Sequence, residues 1–290
     1  MAIRKSPIKV VTPKKRVVNK KKGISKSTFF LFRKGFILAF LLIGILLGTG
    51  YYFRFELAYY FSFMPKKSDS LQKISSDSHI FAVLEKHHKK VIGIDVSEYQ
   101  GDVDWGTVKF VQDSFPIQFV MVRASAGKDK VDSKFKKNWS ALKKRKFIRG
   151  AYHFYRPNEN SILQAQNFIK TVKIEKGDFP PILDIENLPK KQSMDSLKVG
   201  LKRWLQLIEN HYKVRPIIYS SENYYKNFLK KDFPEYQFWI ANYNGWIHEI
   251  NADWLIWQFS EKAFVFGIKG NVDVNIYNGT PKMLQYLVGK

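Results

Sequence analysis

From residue 91 onward, short apolar runs alternate with stretches of helical periodicity, and nothing else in the chain narrows its fold as much. Strands are expected at Val91-Ile92-Gly93-Ile94-Asp95-Val96, Phe119-Val120-Met121-Val122-Arg123-Ala124, Ile148 to Tyr155, Ile182 to Glu186, Pro216 to Ser220, Phe238 to Tyr243 and Leu255 to Phe259. Between them Phe135, Trp139 and Leu142 recur at helical spacing, as do Ile162, Ala165, Ile169 and Val172, and then Leu197, Leu201, Trp204, Leu205 and Ile208. A further short helix is expected near Tyr224 to Leu229. The strands are mostly apolar, as in a parallel sheet covered on both faces. Seven or eight of them within residues 91–279 predict an α/β fold, a closed or nearly closed β/α barrel. An open doubly wound sheet is the alternative, but no glycine-rich phosphate turn follows the first strand.

The chain before residue 91 has a different texture. Residues 1–34 hold twelve Lys or Arg and no acid, half of the net charge of +24. They read as a basic, disordered cytoplasmic tail. Residues 35–53, Gly35 to Phe53, carry no charge over 19 positions, which is close to the ~20 that a membrane-spanning helix needs. Arg33 and Lys34 flank one end, and Tyr51, Tyr52 and Phe53 stand at the other like an interfacial aromatic belt. A cleaved signal peptide would have a shorter basic leader and a small-x-small site after the apolar run. The expectation is a single transmembrane helix, N-terminus cytoplasmic, with the rest outside the cytoplasmic membrane in a periplasmic or extracellular space. Residues 54–90 read as a juxtamembrane stalk, partly helical, with His87 and His88 solvated beside Lys89 and Lys90. Residues 280–290 read as a C-terminal tail. The remaining positive charge is spread thinly, with no nucleic-acid motif, so no nucleic-acid partner is expected. There is no cysteine, which excludes disulfides, thiol nucleophiles and cysteine-based metal sites. The histidines are scattered, so no metal and no cofactor are expected.

Chemistry is suggested first by Phe179-Pro180-Pro181-Ile182-Leu183-Asp184-Ile185-Glu186. Side chains alternate along a strand, so Asp184 and Glu186 leave one face while Ile185 points the other way. Two neighbouring carboxyls cannot both ionise cheaply, and one keeps its proton. A retained carboxylic proton is what glycosidic bond cleavage needs. Barrel enzymes carry their catalytic groups at the C-terminal ends of strands, where Asp95 and Asp273 also fall. Tyr152, Trp239, Tyr243 and Trp257 cluster at the same positions, and aromatic faces beside carboxylates suit a carbohydrate cleft. His153 lies in an aromatic strand and reads as a satisfied structural histidine. Ser97 has no histidine near it in sequence, so a serine-hydrolase triad would need distant residues.

Six segments together carry a resemblance. Gly93-Ile94-Asp95-Val96-Ser97-Glu98-Tyr99-Gln100-Gly101 with Val103-Asp104-Trp105 resembles the opening of the family 25 glycoside hydrolases, the muramidase-type lysozymes. Gly150-Ala151-Tyr152-His153-Phe154, Leu183-Asp184-Ile185-Glu186, Trp239-Ile240-Ala241-Asn242-Tyr243, Trp257-Gln258-Phe259 and Val272-Asp273-Val274-Asn275 resemble its later segments, in order. The resemblance spans residues 91–279. It implies an irregular TIM-like β/α barrel and a peptidoglycan substrate cut at the β-1,4 bond between N-acetylmuramic acid and N-acetylglucosamine. By the same resemblance Glu186 is the general acid and Asp184 supports the reacting acetamido group. Asp95 and Asp273 complete the acidic cleft, and Tyr152 lines it. One departure stands out: Arg123-Ala124-Ser125-Ala126-Gly127 occupies a place where the family often has Lys-Ala-Thr-Glu-Gly, so Ala126 removes a carboxylate. Two other readings share the barrel. One is a catalytically weak peptidoglycan-binding tether. The other is a chitinase-like hydrolase, although the chain lacks the longer Asp-x-x-Asp-x-Asp-x-Glu run.

Overall fold

In a computed structural model of the chain, residues 42–45, 47–49, 51–52, 70–250 and 253–289 are described. The chain divides into two compact units, Met1–Arg54 and Phe55–Lys290. In the first, residues 42–45, 47–49 and 51–52 are helical. The remainder of the expected span 35–53, and the tail 1–34, lie outside the described residues. Among the described residues no helix is long and apolar enough to cross a membrane.

The second unit holds a closed barrel of eight strands: β1 (Val91–Val96), β2 (Phe119–Ala126), β3 (Ile148–Phe154), β4 (Ile182–Asp184), β5 (Ile217–Ser221), β6 (Gln237–Ala241), β7 (Ile256–Ala263) and β8 (Val272–Tyr277). β1 to β7 are parallel neighbours in sequence order. β8 is antiparallel to both β7 and β1 and closes the ring. Residues 264–271 are too few for the crossover that a parallel strand requires, so the chain turns back on itself. The alternation in the sequence therefore becomes a closed barrel rather than an open sheet.

Two cores follow from the two faces of each strand. Inward-facing Phe119, Met121, Ile182, Ile217, Trp239 and Ile256 fill the lower barrel. Outward-facing Ile92, Ile94, Val120, Leu183, Ile218 and Ile240 pack against helices. The inner core is tight because it alternates large with absent side chains. A Cβ on Gly93 would lie 2.4 Å from the Phe119 ring, and one on Gly150 would lie 2.2 Å from Met121 Sδ. Any larger residue at either glycine would displace the layer below the site.

The outer helices include α1 (Ser70–Lys86), α2 (Phe135–Lys144), α3 (Ser161–Thr171) and α4 (Met194–Tyr212). Asn160 caps α3 by accepting from the backbone N–H groups of Ile162 and Leu163, and Ser193 caps α4 through Ser196. α5 (Glu222–Tyr224) runs into a single π turn. α6 (Pro281–Val288) is the surprise of the expected tail. Thr280 caps it, Pro281 begins it, and Leu284 and Val288 are buried in the inner core at the base of the barrel.

α1 corrects the expected stalk. Residues 70–86 form a helix that buries Ile80, Val83 and Leu84 completely. The helix packs beneath β7. His79 lies edge-on to Phe259, and His87 lies edge-on to Trp257. The connection from β6 to β7 has no helix among its described residues, and α1 sits against it instead. His79 Nε2 pairs with Ile247 O and His87 Nε2 with His248 O, each at 2.9 Å, and Lys86 pairs with Glu249. His87 is thus buried rather than solvated, while His88 stays exposed. The pattern missed this because the apolar residues buried along the described part of α1, Ile80, Val83 and Leu84, span little more than one turn.

Candidate active site

β4 is short because Pro180 and Pro181 precede it and it ends at Asp184. The backbone beyond the strand is nevertheless fixed. Ile185 N donates to Tyr219 O at 3.0 Å, and Ser220 Oγ donates to Ile185 O at 2.6 Å. Ile185 is thereby seated in the outer core, which turns Glu186 inward beside Asp184. The spacing expectation for these two acids holds. They lie in a cleft of about 280 Å³ at the C-terminal end of the strands, together with Asp95, Asp273, Tyr152, Trp239 and Tyr243.

Asp95 is the best-held of the acids. Its Oδ2 accepts from Gln258 Nε2 at 2.7 Å and from Asn275 Nδ2 at 2.8 Å. Both amides are themselves oriented: Trp239 Nε1 donates to Asn275 Oδ1 at 2.8 Å, and Tyr219 and Tyr243 both donate to Gln258 Oε1 at 2.6 Å. Burial pushes Asp95 up to about 6, even though the Asn275 and Gln258 hydrogen bonds pull it down. Asp273 lies opposite Asp95 across the β1–β8 ladder, and burial followed by the charge of Asp95 holds it well above the usual carboxylate range.

Both members of the acid pair resist ionisation. Burial raises Asp184 well above its ordinary value, and Glu186 adds to the effect. Burial also raises Glu186, while its hydrogen bond with Asp184 partly offsets the rise. Asp184, only 4% exposed, is the deeper member and holds the proton more tightly. Glu186 is half-buried and nearer the mouth. Asp184 Oδ1 is buried without a hydrogen-bond partner among the described residues. Tyr152 lies edge-on to Trp239 at 6.2 Å, and burial, with Asp95 and Asp184 next, keeps its phenol neutral.

Trp257 is a correction. It is 0% exposed and faces outward beneath α1, with Trp254 and Phe259 around it. Its neighbour Gln258 takes the inward position instead, as strand alternation requires. Trp239 does reach the cleft, but as its floor, 2% exposed. His153 is buried on the outer face, between Ser125 Oγ at 2.8 Å and Gln164 Oε1 at 3.2 Å, and stacks on Trp204. Burial pushes it down to about 3, so it is a neutral structural residue.

Several cleft residues were not foreseen. Gln258 and Asn275 share a strand face with the acids, and counting by two from Asp273 would have found Asn275. Arg123 lines the cleft with Nε on Asp132 at 2.9 Å and Nη2 on Glu98 at 3.1 Å. Tyr99, 82% exposed, lies against its guanidinium at 4.6 Å. Glu261 also lines the cleft. Ala126, at the end of β2, is buried and contributes nothing to the lining. Among the described residues no group of three or more His, Asp or Glu is placed to hold a metal ion. A second cavity, of about 310 Å³, lies outside the barrel wall between α3 and α4 and contains none of these acids.

A closed barrel with buried carboxyl groups gathered at the C-terminal end of its strands has the architecture of a hydrolase of the β/α-barrel class. Residues 94–268 match glycosyl hydrolases family 25, and the chain belongs to that family. YegX of Escherichia coli K12 is 36% identical over 214 residues, 72% of this chain and 77% of that protein. Lysozyme M1 of Streptomyces globisporus is 30% identical over 212 residues, 67% of this chain and 70% of the other. The solved structure of a family 25 glycosyl hydrolase from Bacillus anthracis superposes with a TM-score of 0.62 at 26% identity, over 69% of this chain and 94% of that one. The protein is a glycoside hydrolase of the lysozyme type.

Proposed function

We propose that the chain is a membrane-anchored lysozyme that cuts the β-1,4 bond between N-acetylmuramic acid and N-acetylglucosamine in peptidoglycan. The observation that carries this reading is the acid pair: Asp184 and Glu186 lie in one cleft with Asp95 and Asp273, and burial there favours their protonated forms. Glu186, nearer the mouth, is the general acid that protonates the leaving glycosidic oxygen. Asp184 lies behind it and supports the acetamido group as charge develops at the anomeric carbon. Asp95, fixed by two amides, supplies negative charge opposite that carbon and resists ionisation of the pair. Tyr152, Trp239 and Tyr243 form the wall and floor against which the sugar rests.

The uncharged run 35–53 behind a purely basic tail supports the anchor. On this reading residues 1–34 lie in the cytoplasm and the barrel lies outside the cytoplasmic membrane, where peptidoglycan is. The test is digestion of purified peptidoglycan by the detergent-solubilised full chain, followed by mass spectrometry. New reducing ends on muramic acid support the reading. Reducing ends on glucosamine, or binding without cleavage, overturn it.

A further inference from the structure

Glu261 reaches the cleft through an irregularity of β7. Against β8, Gln258 pairs with Asn275, Ser260 with Val274 and Ala263 with Val272. Each step places one extra residue on β7, so there are two successive bulges. A bulge reverses the in-and-out parity of the strand beyond it. Gln258 faces inward to Asp95; without the first bulge Ser260 would be the next inward residue. With it, Glu261 lines the cleft beside Asp273.

The charges around it leave one kind of partner. Among the described residues five acidic side chains line the cleft, Asp95, Asp184, Glu186, Glu261 and Asp273, against one basic side chain, Arg123. Arg123 is already committed to Glu98 and Asp132. Glu261 is exposed and makes no ion pair or hydrogen bond among the described residues. Buried Asp184 Oδ1 also lacks a partner. A sugar carboxylate would find no free cation among the described residues here, whereas an ammonium would find an unpaired acidic side chain at the rim, Glu261.

We propose that Glu261, with Asp273 beside it, forms a subsite for a cationic hexosamine, a glycan unit other than the one carrying the reacting acetamido group, whose own 2-acetamido group has been hydrolysed to the free amine. The proposal rests on the lysozyme reading and adds the charge of the preferred substrate. The amine is protonated below roughly pH 7.7, the range of an α-amino group, so the contact exists under mildly acidic and neutral conditions.

The experiment compares one peptidoglycan preparation, partly de-N-acetylated, with the same material re-acetylated by acetic anhydride. Reducing-end release is measured at about pH 6 for the full-length wild type, Glu261→Gln and Glu261→Lys. The expected result is a wild-type preference for the amine-bearing material, expressed as a ratio of kcat/KM. That ratio should fall about two- to five-fold in Glu261→Gln, the size of an exposed ion pair. It should fall further in Glu261→Lys, and the wild-type preference should shrink at high salt. A ratio identical in all three proteins overturns the assignment of Glu261 while leaving the lysozyme reading intact. No cleavage of either material by wild type overturns the hydrolase reading itself, and the subsite with it.

Discussion

Gln258 donates to Asp95 Oδ2 at 2.7 Å while its own Oε1 accepts the phenols of Tyr219 and Tyr243. The two phenols settle which end of the amide faces the acid. Asp95 therefore meets an N–H and not a carbonyl, and its carboxylate is held in one orientation before any substrate arrives. The arrangement spends stability on the site, because a buried charge is kept where a neutral group would sit more comfortably.

Asp95→Asn tests that cost. Asp95 titrates at about 6 in the folded protein against an ordinary 3.8. A carboxyl raised in this way binds its proton more tightly when folded. Its stabilising contribution is complete below the unfolded value and is lost as pH rises through about 6. The asparagine variant escapes that loss. It should melt above wild type at about pH 8 and converge with it at about pH 4, as followed by calorimetry. Turnover should fall, and the alkaline limb of its pH–rate profile should move to lower pH, because the charge of Asp95 raises both Asp184 and Glu186.

Glu186→Gln removes the proton at the mouth of the cleft. Turnover of peptidoglycan should drop by about 10²–10⁴, the usual worth of general acid catalysis, with the melting temperature little changed. Asp184→Asn should lower the maximum while leaving the alkaline limb nearly in place, since the amide N–H can still donate to Glu186. A large downward move of that limb would restore a charged Asp184 as the group that keeps Glu186 protonated. The limb reports the pair as a unit.

Leu84→Ala distinguishes a structural α1 from a stalk. Leu84 is 0% exposed beneath β7. Removing a fully buried leucine typically costs about 2–5 kcal/mol, so the melting temperature of the barrel should fall by several degrees. A stalk that merely spans distance would show no change.

The anchor is tested by topology. Reporter fusions at residue 20 and residue 290 are expected to report opposite sides of the membrane, with residue 20 inside. A reporter active in the cytoplasm at residue 290 would reject the proposed arrangement.

The barrel was legible because its strands are buried on both faces and its helices are amphipathic, two patterns that survive without tertiary information. The acid pair was legible for the same reason: in extended backbone residues i and i+2, here Asp184 and Glu186, share a face. Trp257 was misplaced because aromatic character carries no sign for inside or outside, whereas the parity set by Asp95 and Gln258 does. Glu261 was invisible because bulges depend on the partner strand, and β8 is not adjacent in the pattern that betrays β7. α1 and α6 were read as stalk and tail because the buried apolar residues described in them are few, Ile80, Val83 and Leu84 in one and Leu284 and Val288 in the other, too few to raise a periodic signal above the surrounding polar chain.

Asn275 holds Asp95 across 180 residues of chain, and the strands that carry them are the last and first of the ring. Synthesis runs in one direction, so Asp95, Asp184 and Glu186 all emerge before the strand that completes their surroundings. Until β8 arrives, the barrel has a gap between β1 and β7, Asp95 lacks one of its two donors, and Asp273 is absent. A nascent or C-terminally clipped chain thus carries the acid pair without the strand that encloses it.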